Sequence, residues 1–384
     1  MQTQQVMHTQ FSFILPSNYP MFIQVTGVIS FIALILICIT LLVIYLNRIK
    51  TSSRKKHEVK AESIILKELS ERFLIYDTID EIPKEDLKYA IEELDKPKES
   101  SSVFRKALIR TLVHFKLNLS GAIGEIIDSA YVWLKLRRFS LSKLKSSWWY
   151  VRAEGLNEMQ EMNDTESAPQ ISGLKNDANV DVRVFTYAAL LTLKADDPFS
   201  FLLSEKSYLS EWHQISLLDT VGKIPGLKIP EFDTYLNSEN NSVVLFCIKA
   251  IIHYKQFGAI PKMIEMLNHP DEQIRNQLIW ALGLLNAEEA EDKLKEIYPL
   301  EHNKNKSQIL LALGAIASGS SLGFLKDKFL KADHYELLKS SVEAIVSHST
   351  ELKEATINSF TNLDEEQKVM IKHFQDPRNL YGIR

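Results

Sequence analysis

Gly319-Ser320-Ser321-Leu322-Gly323 fits G-x-S-x-G, the pattern that presents a serine nucleophile on a tight strand-to-helix turn in many hydrolases. Here no strand pattern precedes it. The pentapeptide lies between two helical patterns, so its glycines are expected to serve a turn and Ser321 lacks the setting of a nucleophile. Asp177-Ala178-Asn179-Val180-Asp181 begins like a calcium loop, in which alternate oxygen-bearing side chains meet a hard cation. The sixth position is Val182 where that loop needs glycine, and the twelfth is Ala188 where it needs glutamate, which excludes an EF-hand. The ten histidines include no HxH or HxxxH pair that would bring two imidazoles to one metal. His213, His253 and His269 read as surface or packing residues. Cys38 and Cys247 lie far apart and frame no disulfide scaffold, as suits a reducing compartment. There is no phosphate-binding loop and no GxGxxG. The sequence therefore reads as a non-enzyme, with no catalytic, cofactor-binding or metal site and no evident small-molecule substrate.

The elements around these motifs are helical. Apolar residues make up 45% of the chain and charged residues 24%, a globular balance that excludes disorder. Only 13 glycines and 12 prolines interrupt 384 residues, which favours helix over an all-β fold. The net charge of −4 is too small to select a class of partner.

Met21 to Leu46 is a run without a single charge. A bilayer core of ~30 Å needs ~20 helical residues, so residues 21–47 are predicted to span a membrane once. The run is too long for a signal peptide, no Lys or Arg precedes it, and no small-x-small cleavage pattern follows. Residues 1–20 carry no Lys or Arg, whereas the juxtamembrane segment 48–60 carries Arg48, Lys50, Arg54, Lys55, Lys56 and Lys60. The positive-inside rule then places the short N-terminus outside and the C-terminal domain in the cytoplasm of a cell or inner membrane. The same bases would attract anionic lipid.

Beyond residue 145 the chain repeats. With Arg152, Arg183, Gln214, Val244, Arg275, Lys306 and Leu338 as anchors, the step is 30 to 32 residues. Four places on stand Leu156, Tyr187, Leu218, Ile248, Ile279, Leu310 and Val342, and seven places on stand Met159, Leu190, Val221, Ile251, Leu282, Leu313 and Ile345. These two columns share one helix face. Six places on, the residues are mostly small (Ala189, Thr220, Ala250, Ala281, Ala312, Ala344), with Glu158 the exception, so a neighbouring helix can approach closely. Pro169, Pro198, Pro230 and Pro261 are predicted to open second helices, where a missing N–H costs nothing. Each unit is a helical hairpin that cannot bury its core alone, and stacking seven of them over 146–360 yields a solenoid.

Asp177 to Arg183 and Asp271 to Arg275, each followed by an Ala-Leu pair, resemble the HEAT repeat, and the short period is similar to the subtype first named from phycobilin lyases. The resemblance implies an all-α, right-handed α-solenoid, with Arg152, Arg183 and Arg275 as signature residues. The units anchored at Gln214, Val244, Lys306 and Leu338 lack the Asp and Arg.

Residues 61–145 are predicted to hold degenerate helical repeats: patterns over Ala61–Leu74 and Lys84–Leu94, a first-helix pattern over 102–117, and an insertion over roughly 131–147. Residues 101–152 contain ten Lys or Arg and two acids, Glu125 and Asp128, with Trp133, Trp148, Trp149 and Tyr150 among them. Aromatics at helical spacing usually pack, so these are expected to be core residues with the bases on a solvated face. The alternative is a surface that touches anionic headgroups or a membrane partner through Arg137, Arg138, Trp148 and Trp149. Residues 361–384 read as the polar cap and tail a solenoid needs.

The leading functional expectation is a membrane-anchored scaffold for protein partners. The second helices would carry the variable side chains, which are of mixed sign (Lys262, Glu265, Asp292, Lys293, Lys295, Glu296, Lys326, Asp327, Lys328) and so suit a protein surface over nucleic acid. Membrane-bound bacterial HEAT proteins of this layout are similar to accessory subunits of envelope assemblies, which implies a partner such as a polysaccharide glycosyltransferase. The phycobilin-lyase resemblance implies the alternative of a lyase or chaperone for a cofactor-bearing protein. A third reading is an intracellular signalling adaptor.

Overall fold

The computed structural model describes residues 20–72, scattered positions between 75 and 92, and residues 102–118 and 122–376. Most of the predicted outer segment, most of the helix predicted over Lys84–Leu94, and the tail 377–384 lie outside the described residues. Every regular element among the described residues is helical. The chain divides into two units, 1–142 and 143–384.

In the first unit, α1 (Met21–Arg72) is one unbroken helix of 52 residues. Its stretch Met21–Ile49 has a mean hydropathy of 3.1, is not buried, and is long and apolar enough to cross a membrane. The separate segments expected at 21–47 and 48–60 are thus continuous. The reason is visible in the composition: no glycine or proline occurs between residues 28 and 82. Thr26 and Thr40 donate their hydroxyls back to the carbonyls of Phe22 and Leu36, at 3.0 and 2.9 Å, so neither leaves an unmet polar group in the apolar stretch. Helix α2 (Ser102–Asn118) packs on α1 and on α3 (Ala122–Trp133), and α4 (Arg137–Lys143) follows. Phe104, Leu108, Ile109 and Leu112 of α2 and Ile126, Ile127 and Tyr131 of α3 are buried there. Lys116 of α2 pairs with Asp128 of α3.

The second unit is a succession of hairpins: α5 (Trp149–Glu161) with α6 (Ala168–Ser172), α7 (Val180–Thr192) with α8 (Phe201–Ser204), α9 (Glu211–Lys223) with a single 3-10 turn (Phe232–Tyr235), α10 (Asn241–His253) with α11 (Ile260–Glu265), α12 (Glu272–Leu284) with α13 (Glu291–Ile297), α14 (Asn303–Ile316) with α15 (Leu322–Leu330), α16 (Tyr335–Val346) with α17 (Thr350–Asn358), and a final α18 (Glu365–Gln375). First helices pack on the first helices of adjoining units, as α5 on α7, α7 on α9, α10 on α12, α12 on α14 and α14 on α16, with α18 closing on α16. One continuous apolar core runs from Val184 to Phe374.

Caps fix where the first helices begin. Asn179 accepts from Val182 N–H, Asp271 from Gln273 and Ile274 N–H, and Ser210 and Asp364 form reciprocal capping boxes with His213 and Gln367. Their ends repeat as well. Asn163, Lys194, Lys255, Asn286 and Ala317, each eleven places after an anchor, hold positive φ of 49 to 52°. Each starts the turn into the second element, and none is glycine.

Of the fourteen residues in the two apolar columns, all are buried but Leu218, which is half-buried beside a fully buried Leu217. The small column does bring helices close. A Cβ at Gly283 would lie 2.9 Å from the Cα of Ala312, and one at Gly314 would lie 2.5 Å from the Cα of Ala344. The exception, Glu158, is buried but paired with Lys143. The prolines divide. Pro169 and Pro261 sit in the first turn of α6 and α11. Pro198 and Pro230 lie in loops, because the second elements of those two units shrink to a single turn.

Candidate functional site

The three signature arginines share one geometry. Arg152, Arg183 and Arg275 each donate from Nη1 to the carbonyl six residues back: Ser146 at 2.7 Å, Asp177 at 2.6 Å and His269 at 2.8 Å. Each also reaches an acid after its unit's second element. Arg183 grips Glu205 through Nε (2.8 Å) and Nη2 (3.2 Å), and Arg275 grips Glu301 through Nε (2.5 Å) and Nη2 (2.9 Å). Arg152 holds Asp177 through Nη2 alone at 2.8 Å, and its buried Nε meets no acceptor among the described residues. Each arginine therefore pins the loop before its helix and the loop that leads to the next unit.

The carboxylates are fully engaged. Glu205 also accepts from Tyr187 Oη at 2.8 Å and from Ser207 N–H at 2.7 Å, and Glu301 also accepts from Asn305 at 2.8 Å. Burial pushes both carboxyls up, but these donors and the arginine charge hold them below the usual glutamate value. The Tyr187 phenol is pushed well up by burial and by its bond to Glu205. The polar groups of this network are spent on one another and on loop carbonyls. It is a set of struts, and the sequence reading missed its acid half. In units that lack the arginine, other donors serve the same loops: Gln214 Nε2 donates to Leu209 O at 2.9 Å, and Asn240 Nδ2 to Glu205 O and Ser207 O at 2.9 Å each.

The G-x-S-x-G stretch is likewise structural. Ser320 and Ser321 both donate to the carboxylate of Glu291, which also faces Lys295. Burial raises the Glu291 carboxyl, yet the serine hydroxyls and Lys295 hold it low. Ser321 is itself buried. A serine that donates to a buried carboxylate within a turn is a strut between α13 and α15. Asp177, the first residue of the calcium-like run, accepts from Arg152 and from Asn179 N–H, so its Oδ1 is occupied by α5 and by the N-cap of α7. Among the described residues no three His, Cys, Asp or Glu side chains gather to hold a metal.

A polar ladder crosses successive first helices: Asp181 to His213 (2.9 Å), Lys249 to Glu211 (3.3 Å), Asn241 to Asp271 (2.7 Å), Asn276 to Asn305 (2.8 Å) and Ser307 to Ser340 (2.5 Å). Large apolar side chains stay exposed on the same helices. Phe185 stands on α7, Trp212 and Ile215 one turn apart on α9, and Trp280 and Leu284 one turn apart on α12, with Trp212 75% exposed. The mixed charges of the second helices instead pair with one another, Lys262 with Glu265, Lys293 with Glu296, Lys295 with Asp292, and Lys328 with Asp327. The first helices thus carry the exposed aromatic side chains Phe185, Trp212 and Trp280, while second elements also expose single leucines, Leu203, Leu300, Leu330 and Leu352.

The predicted contact residues separate. Arg48, Lys55, Lys56 and Lys60 are exposed along α1, and Lys50 and Arg54 lie in the same helix with side chains outside the described ones. Arg137 and Arg138 belong to the first unit, where Arg138 and Arg105 both lie over the Phe139 ring, at 5.0 and 4.0 Å from its centroid. Trp148 and Trp149 belong to the second unit and are exposed, Trp148 by 64%, together with Tyr150. The expectation that these three are core residues is corrected. Consecutive helical residues point about 100° apart, so three in a row cannot share the buried face, which Ala153 and Leu156 occupy. The rings touch one another, Trp148 and Trp149 each about Tyr150, with centroids 6.0 and 6.3 Å apart.

Residues 260–346 match the family described as HEAT repeats. This part of the chain is similar to HEAT repeats. The array so matched runs from α11 to α16 and contains Arg275. Arg183 lies outside it, yet grips its glutamate with the same two nitrogens, so the Arg275–Glu301 strut recurs in an earlier hairpin. No curated protein matches the chain in sequence. Among solved structures, an engineered protein is similar at 14% identity with a TM-score of 0.35, covering 85% of this chain and 95% of its own. Human deoxyhypusine hydroxylase in complex with glycerol is similar at 15% identity with a TM-score of 0.29, covering 71% and 96%.

Proposed function

We propose that this chain is a membrane-anchored scaffold that holds a protein partner at the cytoplasmic face of a membrane. HEAT repeats make a helical scaffold for protein interaction. The observation that carries the reading is the exposed face of the first helices, with Phe185, Trp212, Ile215, Trp280 and Leu284 in water while the opposite face is consumed by stacking. Large aromatic side chains are the residue types that anchor protein interfaces. The mixed, internally paired charges on the second helices suit a protein better than a polyanion.

The membrane half of the proposal rests on α1. Its 29-residue apolar stretch holds Arg48 at its end and is followed at once by Lys50, Arg54 and the further lysines, which favours the cytoplasm for everything after it. The natural partner is then another membrane protein or a complex assembled on it, such as an envelope assembly that this chain serves as accessory subunit. Carbonate extraction and a C-terminal phosphatase fusion test this half: the chain stays in the membrane and the phosphatase is silent. Extraction into the carbonate supernatant defeats the anchor, and phosphatase activity outside the cytoplasm defeats the orientation.

A further inference from the structure

We propose that Lys55, Lys56 and Lys60 form a face of α1 that binds the phosphates of anionic phospholipid headgroups, and this rests on the membrane anchor proposed above. The six residues Ser52, Lys55, Lys56, Val59, Lys60 and Ser63 line one shallow groove on the helix surface. Their spacing of three and four places keeps them on a single face. None of the six is acidic, and all three lysines are exposed. Ser52 flanks them with a hydroxyl able to donate to a phosphate oxygen, while the Ser63 hydroxyl donates to Lys60 O at 2.8 Å.

The height of this face follows from the unbroken helix. At 1.5 Å per residue, Lys55 stands about 9 Å and Lys60 about 16 Å beyond Ile49, where the apolar stretch ends. The headgroup layer is about 5–8 Å thick on each side of the hydrocarbon. A lysine side chain reaches back toward that layer along its own aliphatic stem. The three ammonium groups therefore meet the phosphate plane from just outside it, within about one Debye length of ~8 Å. A flexible linker would leave them anywhere; a helix continuous with the span holds them at this depth and on one side.

Positive-inside topology needs only the count of bases and is indifferent to their face. Headgroup binding needs the face, and that separates the two experimentally. The full chain is reconstituted into vesicles of equal phosphatidylcholine and phosphatidylglycerol, and the lipids it retains on release are counted by native mass spectrometry. Phosphatidylglycerol is expected to be enriched about tenfold over phosphatidylcholine, with the enrichment falling as salt rises. The K55Q/K56Q/K60Q variant is expected to bring the two lipids near parity, and K55R/K56R/K60R to keep the preference. Equal retention by the wild type, or an undiminished preference in the glutamine variant, would overturn the proposal. So would inorganic phosphate that abolishes the preference at constant ionic strength, since the face would then take a soluble anion. A carbonate wash of the same vesicles separates the two readings: protein lost in the wash sinks the anchor, whereas protein retained without lipid preference sinks this inference alone.

Discussion

Arg275 and Glu301 face each other fork to fork, Nε to Oε1 at 2.5 Å and Nη2 to Oε2 at 2.9 Å, with the carboxylate almost wholly buried. Arg183 and Glu205 repeat the arrangement 92 residues earlier in the chain. Both arginines also hold the loop before their own helix, so one guanidinium ties three segments together.

Removing Arg275 leaves Glu301 charged and buried, whereas removing Glu301 leaves Arg275 part-exposed and still bonded to the His269 and Pro270 carbonyls. Arg275→Ala is expected to cost about 3–5 kcal/mol in denaturant unfolding, and Glu301→Ala less. The double change to apolar residues of similar volume is expected to recover most of that loss. Single and double variants that unfold at one denaturant midpoint would contradict the strut.

Acid should weaken the second unit in a definite window. Glu205, Glu291 and Glu301 all titrate below the ordinary glutamate value of 4.5. A depressed folded-state pKa contributes stability that is complete above the unfolded value and is lost as pH falls through the folded one. The melting temperature is therefore expected to hold from pH 7 to about 5 and to drop below about 4.5. Glu301→Gln should flatten that drop. Asp128 in the first unit runs the other way, raised by burial against the pull of Lys116, and does not contribute to it.

Gly314 tests the close approach of α14 and α16. Alanine is the better helix former by about 1 kcal/mol, but its methyl would lie 2.5 Å from the Ala344 Cα. Gly314→Ala is expected to destabilise by about 1–3 kcal/mol net. Gly323, nine residues on in α15, has nothing within 4 Å of its Cβ position, and Gly323→Ala should be neutral or stabilising. Equal shifts in the two melting temperatures would show that packing does not decide them.

The turn at the end of five of the first helices holds a residue in the left-handed region without a glycine. Lys255 and Ala317 sit at φ of 51 and 50°. A residue with a Cβ costs about 1–2 kcal/mol there. Ala317→Gly and Lys255→Gly are each expected to raise the melting temperature, by a gain that remains after the added freedom of the unfolded chain. A fall in both would mean these turns are not strained.

The apolar columns were legible because stacking imposes one period on every buried face, and Leu156, Ile248 and Leu310 had to recur in step. The signature arginines were legible as a pattern. Their partners were not, because Glu205 and Glu301 lie 22 and 26 residues after their arginines, in loops whose lengths vary with the second element. Trp148, Trp149 and Tyr150 misled by composition: aromatics usually pack, but three consecutive ones cannot. The +11 turn carries Asn at 163 and 286, a type that favours a positive φ, but the Lys and Ala at 194, 255 and 317 give no such signal. The exposed face of Trp212 and Trp280 emerged only once the buried columns had claimed the other side.

The central claim is a scaffold whose first-helix face holds a membrane partner. The direct measurement is purification of the full chain from mild detergent after crosslinking in cells, with wild type beside Trp212→Ala/Ile215→Ala. The account expects one integral-membrane protein in stoichiometric yield with the wild type, and its loss from the variant at an unchanged melting temperature. A wild-type chain that comes alone, or a partner retained equally by the variant, would contradict it.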